Sequence, residues 1–363
     1  MNFRSEYLKI TAPNTTFKRN KEKIKMGLKQ PLVQFGLLGV ALLLLLVLSL
    51  PGIELVPTPT IDGIGQVLIY AISTIGFCLL LGYSGLASLG TAGFIGVGVL
   101  LTQYGIEQWN ITVFPTLLIV GAVAIVIGVV VGFVSLRIEG IYLAILTLCI
   151  GEVLARLLKT LEGATLKITN NITFFGVDAI SHEIVYVIVV VVLVALLIFT
   201  TNLVNSPTGR AMQAMKSSTS AAQAMGISLM KYRLLAFVIA TLFATISGFL
   251  YMLFYKNIVF SSTTLISLAM SLNILGAVII GGAKSLWGTL FGTFFVFGLQ
   301  SLILKDVEFF RNNPDISILF TGILMILIVM FFPGGFAEIV LRIKWFIFKM
   351  INKWRVRRYG IEG

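Results

Sequence analysis

Charge is what this sequence has least of. Only 12% of its 363 residues are Asp, Glu, Lys or Arg, against 58% hydrophobic ones, and the mean hydropathy is +1.01. Soluble domains carry roughly 25% charged residues, so a soluble globular fold is excluded. Histidine occurs once, as His182 in a loop, and cysteine twice, as Cys78 and Cys149 inside apolar runs. That inventory leaves no histidine-based metal site, no catalytic triad and no disulfide framework; both cysteines read as small core residues. No phosphate loop of the form G-x-x-x-x-G-K-[ST] is present. GGAKS at 281–285 fails because Ala283 separates Gly282 from Lys284. H-E-x-x-H and G-x-S-x-G are missing as well. The chain therefore reads as a non-enzyme that holds no metal and no cofactor of its own. Any active transport would need an ion gradient or another subunit to drive it.

Long apolar runs are what the sequence does have. Several approach the 20 residues that cross a hydrocarbon core, while alternating ten-residue strands of the barrel type are absent. The expected fold is all-α, a polytopic transmembrane bundle of about ten spans. We place them near 33–50, 61–81, 86–104, 113–134, 141–160, 184–203, 233–254, 264–283, 286–304 and 316–332. The net charge of +12 sits at the flanks, with eight Lys or Arg in residues 1–30 and seven in 342–358. Cytoplasmic anchoring next to membrane lipid explains that better than nucleic-acid binding. Residues 1–30 are also too polar for a secretory signal, so the first span is expected to be retained. Loops 51–60 and 105–112 contain Glu54 and Glu107 but no Lys or Arg. The opposite loops contain Arg137, Lys284 and the basic 204–233 segment. An even span count then puts both termini in the cytoplasm. The organisation is a basic tail (1–32), a membrane domain (33–336) and a second basic tail (337–363).

Two stretches stand out within the domain. Residues 82–98, GYSGLASLGTAGFIGVG, are glycine-rich, with Gly90, Gly93 and Gly96 at helical spacing. Such a stretch allows close helix packing or a broken helix lining a solute path. A fainter echo, GAKSLWGTLFG at 282–292 against GLASLGTAG at 85–93, hints at an internal repeat relating spans 2–3 to spans 8–9. In span 5, Glu152 and Arg156 share a helix face and are expected to pair. That pair would fix helix packing, form an outer gate, or line the path. Asn273, Ser73 and Thr74 lie at membrane depth, where interhelical hydrogen bonds are the expected use.

The other stretch is 204–233, the longest polar interruption between apolar segments. It carries Arg210, Lys216, Lys231 and Arg233 and no acid. Pro207 and Gly209 break the chain before it. Helix formers dominate from Arg210 to Met225, and Gly226 supplies a stop. The expectation is one short basic helix over 210–226, suited to a groove on a soluble partner, against the plainer reading of a positive-inside loop.

Together these segments resemble the permease subunits of branched-chain amino-acid ABC transporters. The likeness is carried, in the family's order, by LLLGYSGLASLGTAGFIGVGVLL (79–101), LRIEGIYLAILTLCIGEVLAR (136–156), SPTGRAMQAMKSSTSAAQAMGISLMKYRLLAF (206–237) and ILGAVIIGGAKSLWGTLFG (274–292). LIVMFFPGGF (327–336) resembles the family's last span and its exit. The resemblance implies a coupling helix marked by A-A-x-x-x-G, here Ala221, Ala222, Ala224 and Gly226, with Arg210 and Lys216 beside it. It implies a homologous second permease, two cytoplasmic ATPase subunits that hold ATP and Mg, an extracytoplasmic substrate-binding protein, and a bacterial cytoplasmic membrane. Ser84, Gly85, Ser88, Gly90, Thr91 and Gly93 become translocation-path candidates, with Glu152, Arg156 and Asn273. Thr91 stands where the family often has His, and 167–176 replaces a glycine-rich T-G-G-x-x-G loop. Those departures leave open another small polar solute, such as a nucleoside, urea or a short amide. An ion-coupled carrier is the remaining alternative, with Glu152 as its one deep carboxylate.

Overall fold

The structure, a computed structural model, describes residues 31–47, 57–135, 140–161, 165–168, 182–259, 265–304, 307, 314–331 and 335–336. The basic segments 1–30 and 337–363, and positions 169–176 of the unusual outer loop, lie outside the described residues.

Each expected span coincides with a helical rod. In chain order these are α1 (Pro31–Val47), α2 (Thr58–Phe77) running on as a π-helix (Cys78–Tyr83), α3 (Thr91–Gln103) with a π-helical end (Tyr104–Gln108), α4 (Val113–Ser135) and α5 (Ile141–Leu161). Then come α6 (His182–Asn205), the short α7 (Pro207–Ser217) and α8 (Thr219–Ala224), and the long α9 (Leu229–Tyr255). The chain finishes with α10 (Leu268–Gly281), α11 (Leu286–Thr293) with a π-helical continuation (Phe294–Leu304), and α12 (Pro314–Phe331). Among the described residues, four stretches suffice by length and composition to cross a membrane: Thr60–Tyr83, Val113–Ser135, His182–Asn205 and Leu229–Tyr255. Helix α5 is long enough but carries Glu152, Arg156 and Lys159.

One feature departs from an all-helical reading. β1 (Thr165–Lys167) pairs antiparallel with β2 (Asn257–Val259), setting Leu166 opposite Ile258 with both buried. Ile168 N–H adds a 2.8 Å bond to the Lys256 carbonyl. The ladder ties the segment after α5 to the segment after α9.

Helix α9 is the axis of the bundle, packed on α2, α3 and α4. Its Phe237, Phe243 and Phe249 are essentially inaccessible. A Cβ on Gly98 of α3 would collide with the Thr245 carbonyl of α9, and one on Gly248 with the Ile95 carbonyl. Only hydrogen at both places lets the two backbones touch. Ser247 Oγ donates to the Ile69 carbonyl at 2.9 Å and joins α9 to α2. On the periphery, Val126 and Val130 of α4 are about three-fifths exposed, at 61% and 59%.

Three local expectations need correction. The segment expected as one helix over 210–226 is two helices, broken at Ser218, whose φ −159° and ψ 115° are extended. Serine explains the break. Its hydroxyl caps the next helix by accepting from Ala221 N–H, offering the backbone an alternative to continued helix. Cys78 is buried as expected, but Cys149 is exposed on the outside of α5. Finally, Thr74 Oγ1 donates within its own helix, to the Tyr70 carbonyl at 2.6 Å, and Ser73 Oγ is buried without a partner, so neither bridges helices.

Candidate functional site

Residues 84–90 are the break between α2 and α3. At the π-helical end of α2 the Leu79 and Leu80 carbonyls accept backbone bonds from Ser84 N–H and Leu86 N–H, and Ser84 Oγ donates to both as well, at 3.2 and 3.0 Å. Gly85 then takes φ +75°, a conformation that favours glycine. The chain returns into the bundle without helical bonds of its own. Neighbours supply them instead: Leu89 N–H donates to Thr147 Oγ1 of α5 at 3.1 Å, and Ala92 N–H to Ser271 Oγ of α10 at 3.0 Å. The glycine-rich stretch is thus a break followed by close packing. Gly93 abuts the Gly151 backbone, where an added Cβ would lie 2.8 Å from its Cα, and a Cβ on Gly90 would strike the Thr147 carbonyl. Ser88 and Thr91 line a void of about 10 Å³ with Phe77, Phe94 and Phe237, room for one water at most.

The path candidates therefore separate. Ser84 is consumed as a local cap, while Ser88 and Thr91 face a void too small for a solute. Gly93 opens instead onto a groove of about 400 Å³ between α3, α5 and α10, shared with Glu152, Arg156 and Ser271. There Arg156 Nε donates to Glu152 Oε1 at 3.0 Å, the pairing expected from their spacing. Both side chains are substantially exposed, at 78% and 44%, so the pair lies on the wall of an open groove and is not a core lock. Asn273 faces elsewhere, into a separate chamber on the other side of α10. Sequence reasoning passed over Thr147 and Ser271, which bond the broken segment. Their only signal is a small hydroxyl within an apolar run.

At the end of the bundle where α2 breaks, the short helices α7 and α8 lie across it. Ser206 caps α7, accepting from Gly209 N–H, with Pro207 at the first helical position, where its missing N–H costs nothing. Ala211, Met212 and Met215 bury one face of α7 against the bundle. Lys216, the last charged residue of α7, turns inward. Its Nζ donates to the carbonyls of Leu81 at 3.0 Å and Gly82 at 2.7 Å, the C-terminal end of α2's π-turn, where a cation is favoured. Its Cγ would lie 3.1 Å from a Cβ on Gly85. Burial, and then the neighbouring Lys284, holds Lys216 below the ordinary lysine value. Lys216 and Lys284 share a polar pocket of about 400 Å³ with Tyr83, Gln213 and Ser217. Tyr83 OH donates to the Lys284 carbonyl at 2.9 Å, and Cys78 Sγ to that of Ala283 at 3.3 Å. The two glycine-containing segments that echo one another in sequence thus abut. Their backbones differ: 84–90 is irregular, with Gly85 at φ +75°, whereas 282–285 is a tight turn closed by Ser285 N–H to the Gly282 carbonyl at 2.9 Å.

Helix α8 presents the opposite character. Ala222 is fully buried, while Ala221, Ala224 and Gly226 are exposed, and Met225 is 69% exposed beside them. Gly226 (φ +77°) ends the helix, with Ile227 N–H reaching the Ala222 carbonyl at 3.0 Å and Gly226 N–H that of Gln223 at 2.9 Å. Arg210 is exposed, and its guanidinium donates to the Asn205 carbonyl at 3.3 Å. The result is a small rigid tip of alanines and one methionine, held on the bundle by α7.

No group of three or more His, Cys, Asp or Glu able to hold a metal occurs among the described residues. Over residues 60–329 the chain matches the family described as the permease component of the branched-chain amino acid transport system. It is similar to the high-affinity branched-chain amino acid transport system permease protein LivM of Escherichia coli (strain K12). Identity is 31% over 327 residues, covering 81% of this chain and 73% of the relative. The LivM protein of Salmonella typhimurium is 30% identical over 330 residues, with the same coverage. No solved structure matches the chain.

Proposed function

The chain belongs to the branched-chain amino-acid transport permease family, and from that premise we propose that it is the membrane subunit of an ATP-driven importer working by alternating access. It pairs with a second, homologous permease. An extracytoplasmic binding protein delivers a branched-chain or related amino acid to the outer face. Two ATPase subunits hold ATP on the cytoplasmic side, where both termini also lie. The exposed alanine tip (Ala221, Ala224, with Met225) seats in a cleft of an ATPase subunit, and α7 carries its displacement into the bundle.

The observation that supports this most directly is the Lys216 anchor. A cytoplasmic element meant only to close a loop has no need to bond the broken end of a central span. Here two charge-assisted hydrogen bonds join α7 to the carbonyls from which the 84–90 segment departs. That segment bonds to α5 through Leu89 and Thr147, and the first turn of α3 that follows it bonds to α10 through Ala92 and Ser271, which lines the groove of Glu152 and Arg156. A pull on the tip therefore reaches the groove through named bonds. An ion-coupled carrier fits less well, since the Glu152 carboxylate is engaged by Arg156.

Uptake into proteoliposomes, with the partner subunits and the binding protein present, tests the scheme. Uptake should require the ATPases and should be abolished when residues 218–226 are scrambled. Transport that continues without the ATPases sinks it.

A further inference from the structure

On the side of α10 away from the Glu152–Arg156 groove lies a chamber of about 140 Å³, bounded by α2, α10 and the π-helical end of α11. Its walls combine three primary amides, Gln66, Asn273 and Gln300, with the hydroxyls of Tyr70 and Ser301. No charged side chain lines it. Among the described residues only one hydrogen bond is made within this set, Gln66 Nε2 to Tyr70 OH at 3.3 Å. Ser301 Oγ is buried without a partner. Polar groups left unpaired at such depth are unfavourable in a membrane and mark sites of use.

Two further observations point to a built site and not to loose packing. The apolar side is firm: Tyr70 stacks on Tyr251 with centroids 5.9 Å apart and leans on Phe297 at 4.6 Å, and Phe297 and Met270 are both buried. The α11 wall is an 11-residue π-helix, Phe294–Leu304. Such helices are rare, and single turns of them recur at functional sites; here the widened coil contributes Phe297, Gln300 and Ser301 together. Gln66 and Asn273 both lie in the N-terminal halves of their helices, about 12 Å along α2 from Thr58 and about 8 Å along α10 from Leu268, at a rise of 1.5 Å per residue.

We propose that this chamber is a binding site for a small zwitterionic amino acid with an aliphatic side chain. Amide N–H groups of Asn273 and Gln300 donate to the carboxylate. Amide oxygens and Ser301 Oγ accept from the ammonium, and Met270 and Phe297 take the side chain. With no fixed charge, the site can hold both ends of a zwitterion without trapping either. The proposal rests on the importer reading above and adds where in this subunit the solute pauses.

The experiment uses the complete importer in proteoliposomes, with binding protein loaded with leucine or valine, and follows uptake and ATP hydrolysis together. Asn273→Leu and Gln300→Leu keep comparable bulk and remove the amides. Each should lower maximal leucine uptake at least tenfold while binding-protein-stimulated hydrolysis stays within twofold of wild type. Met270→Phe narrows the apolar end and should raise the valine-to-leucine uptake ratio several-fold, which a purely structural defect would not do. Should a leucine variant fail to assemble with its partners, Gln300→Asn keeps the amide, and the same separation of uptake from hydrolysis is expected in milder form. Wild-type uptake in the amide variants, a fall in uptake matched by an equal fall in hydrolysis, or an unchanged valine-to-leucine ratio in Met270→Phe overturns the assignment. Those outcomes leave the importer reading intact, because that reading fails only through transport without ATPases or with a scrambled 218–226 segment.

Discussion

Helices α2 and α4 are of similar length, and α4 is the more apolar, yet 83% of the apolar window of α2 is buried inside the protein and only 22% of that of α4. In a soluble protein the order would be reversed. In a bilayer the lipid tails are as apolar as any core, so hydrophobicity does not drive a helix inward. What takes α2 inside is its polar minority. Gln66, Tyr70, Ser73 and Thr74 would be costly against lipid, and its glycines let neighbours come close. Helix α4 has little to hide, and Val126, Val129, Val130 and Val134 face outward.

That contrast can be broken by substitution. The largest effect is expected at the α3–α9 contact. Gly98→Val puts a branched side chain into the Thr245 backbone and should cost more than about 3 kcal/mol, seen as loss of assembled protein. Gly121→Ala on α4, where an added Cβ meets nothing within 4 Å, should be silent or mildly stabilising. Next, Ile75→Ala in α2, where the side chain is fully buried, should destabilise by about 2–5 kcal/mol. Val130→Ala on the outer face of α4 should stay within about 0.5 kcal/mol, both read from unfolding midpoints in detergent. If these two costs prove equal, burial in the bundle is not what separates the helices.

The anchor between α7 and α2 gives a third test. Lys216→Met should lower uptake per ATP hydrolysed about fivefold or more, with assembly preserved and partial recovery in Lys216→Arg; a factor of ten corresponds to roughly 1.4 kcal/mol. The smallest effect is on pH dependence. Burial lowers the Lys216 value in the folded chain below its usual 10.5, so the folded state gives up this proton before the unfolded state does. As pH rises across that interval the unfolded chain holds more protons, and folding stability rises. The wild-type unfolding temperature should therefore gain on that of Lys216→Met as pH climbs toward 10.5. The cysteines provide a simple check on facing: a membrane-permeant thiol reagent should label Cys149 and spare Cys78 in the folded protein.

Much of this was legible from residues alone. Apolar run length located the helices because a span must satisfy its own backbone over a set distance. The spacing of Glu152 and Arg156 announced their bond, since positions four apart on a helix meet wherever the helix sits. Gly226 marked a helix end by local chemistry, whereas Pro207 and Gly209, read as breaks before a helix from Arg210, lie within the first turn of α7. The break at Ser218 was missed because Ala, Gln and Met on both sides favour helix, and a capping serine in such a run looks like any other. Cys149 was placed in a core because its neighbours form an apolar run, and in a membrane helix an apolar face can meet lipid as readily as other helices.

Residue order alone therefore specifies the set of helices, the basic polar segment between α6 and α9, and the local bonds within single helices. Only the tertiary structure decided that α9 is the axis, that Lys216 turns inward while Ala221 and Ala224 turn out, and that Asn273 meets Gln66 and Gln300 across three helices. The division has a physical cause. Backbone hydrogen bonding and capping act within a few residues of chain, whereas the order of helices in a bilayer depends on small-residue contacts and buried polar partners far apart in sequence.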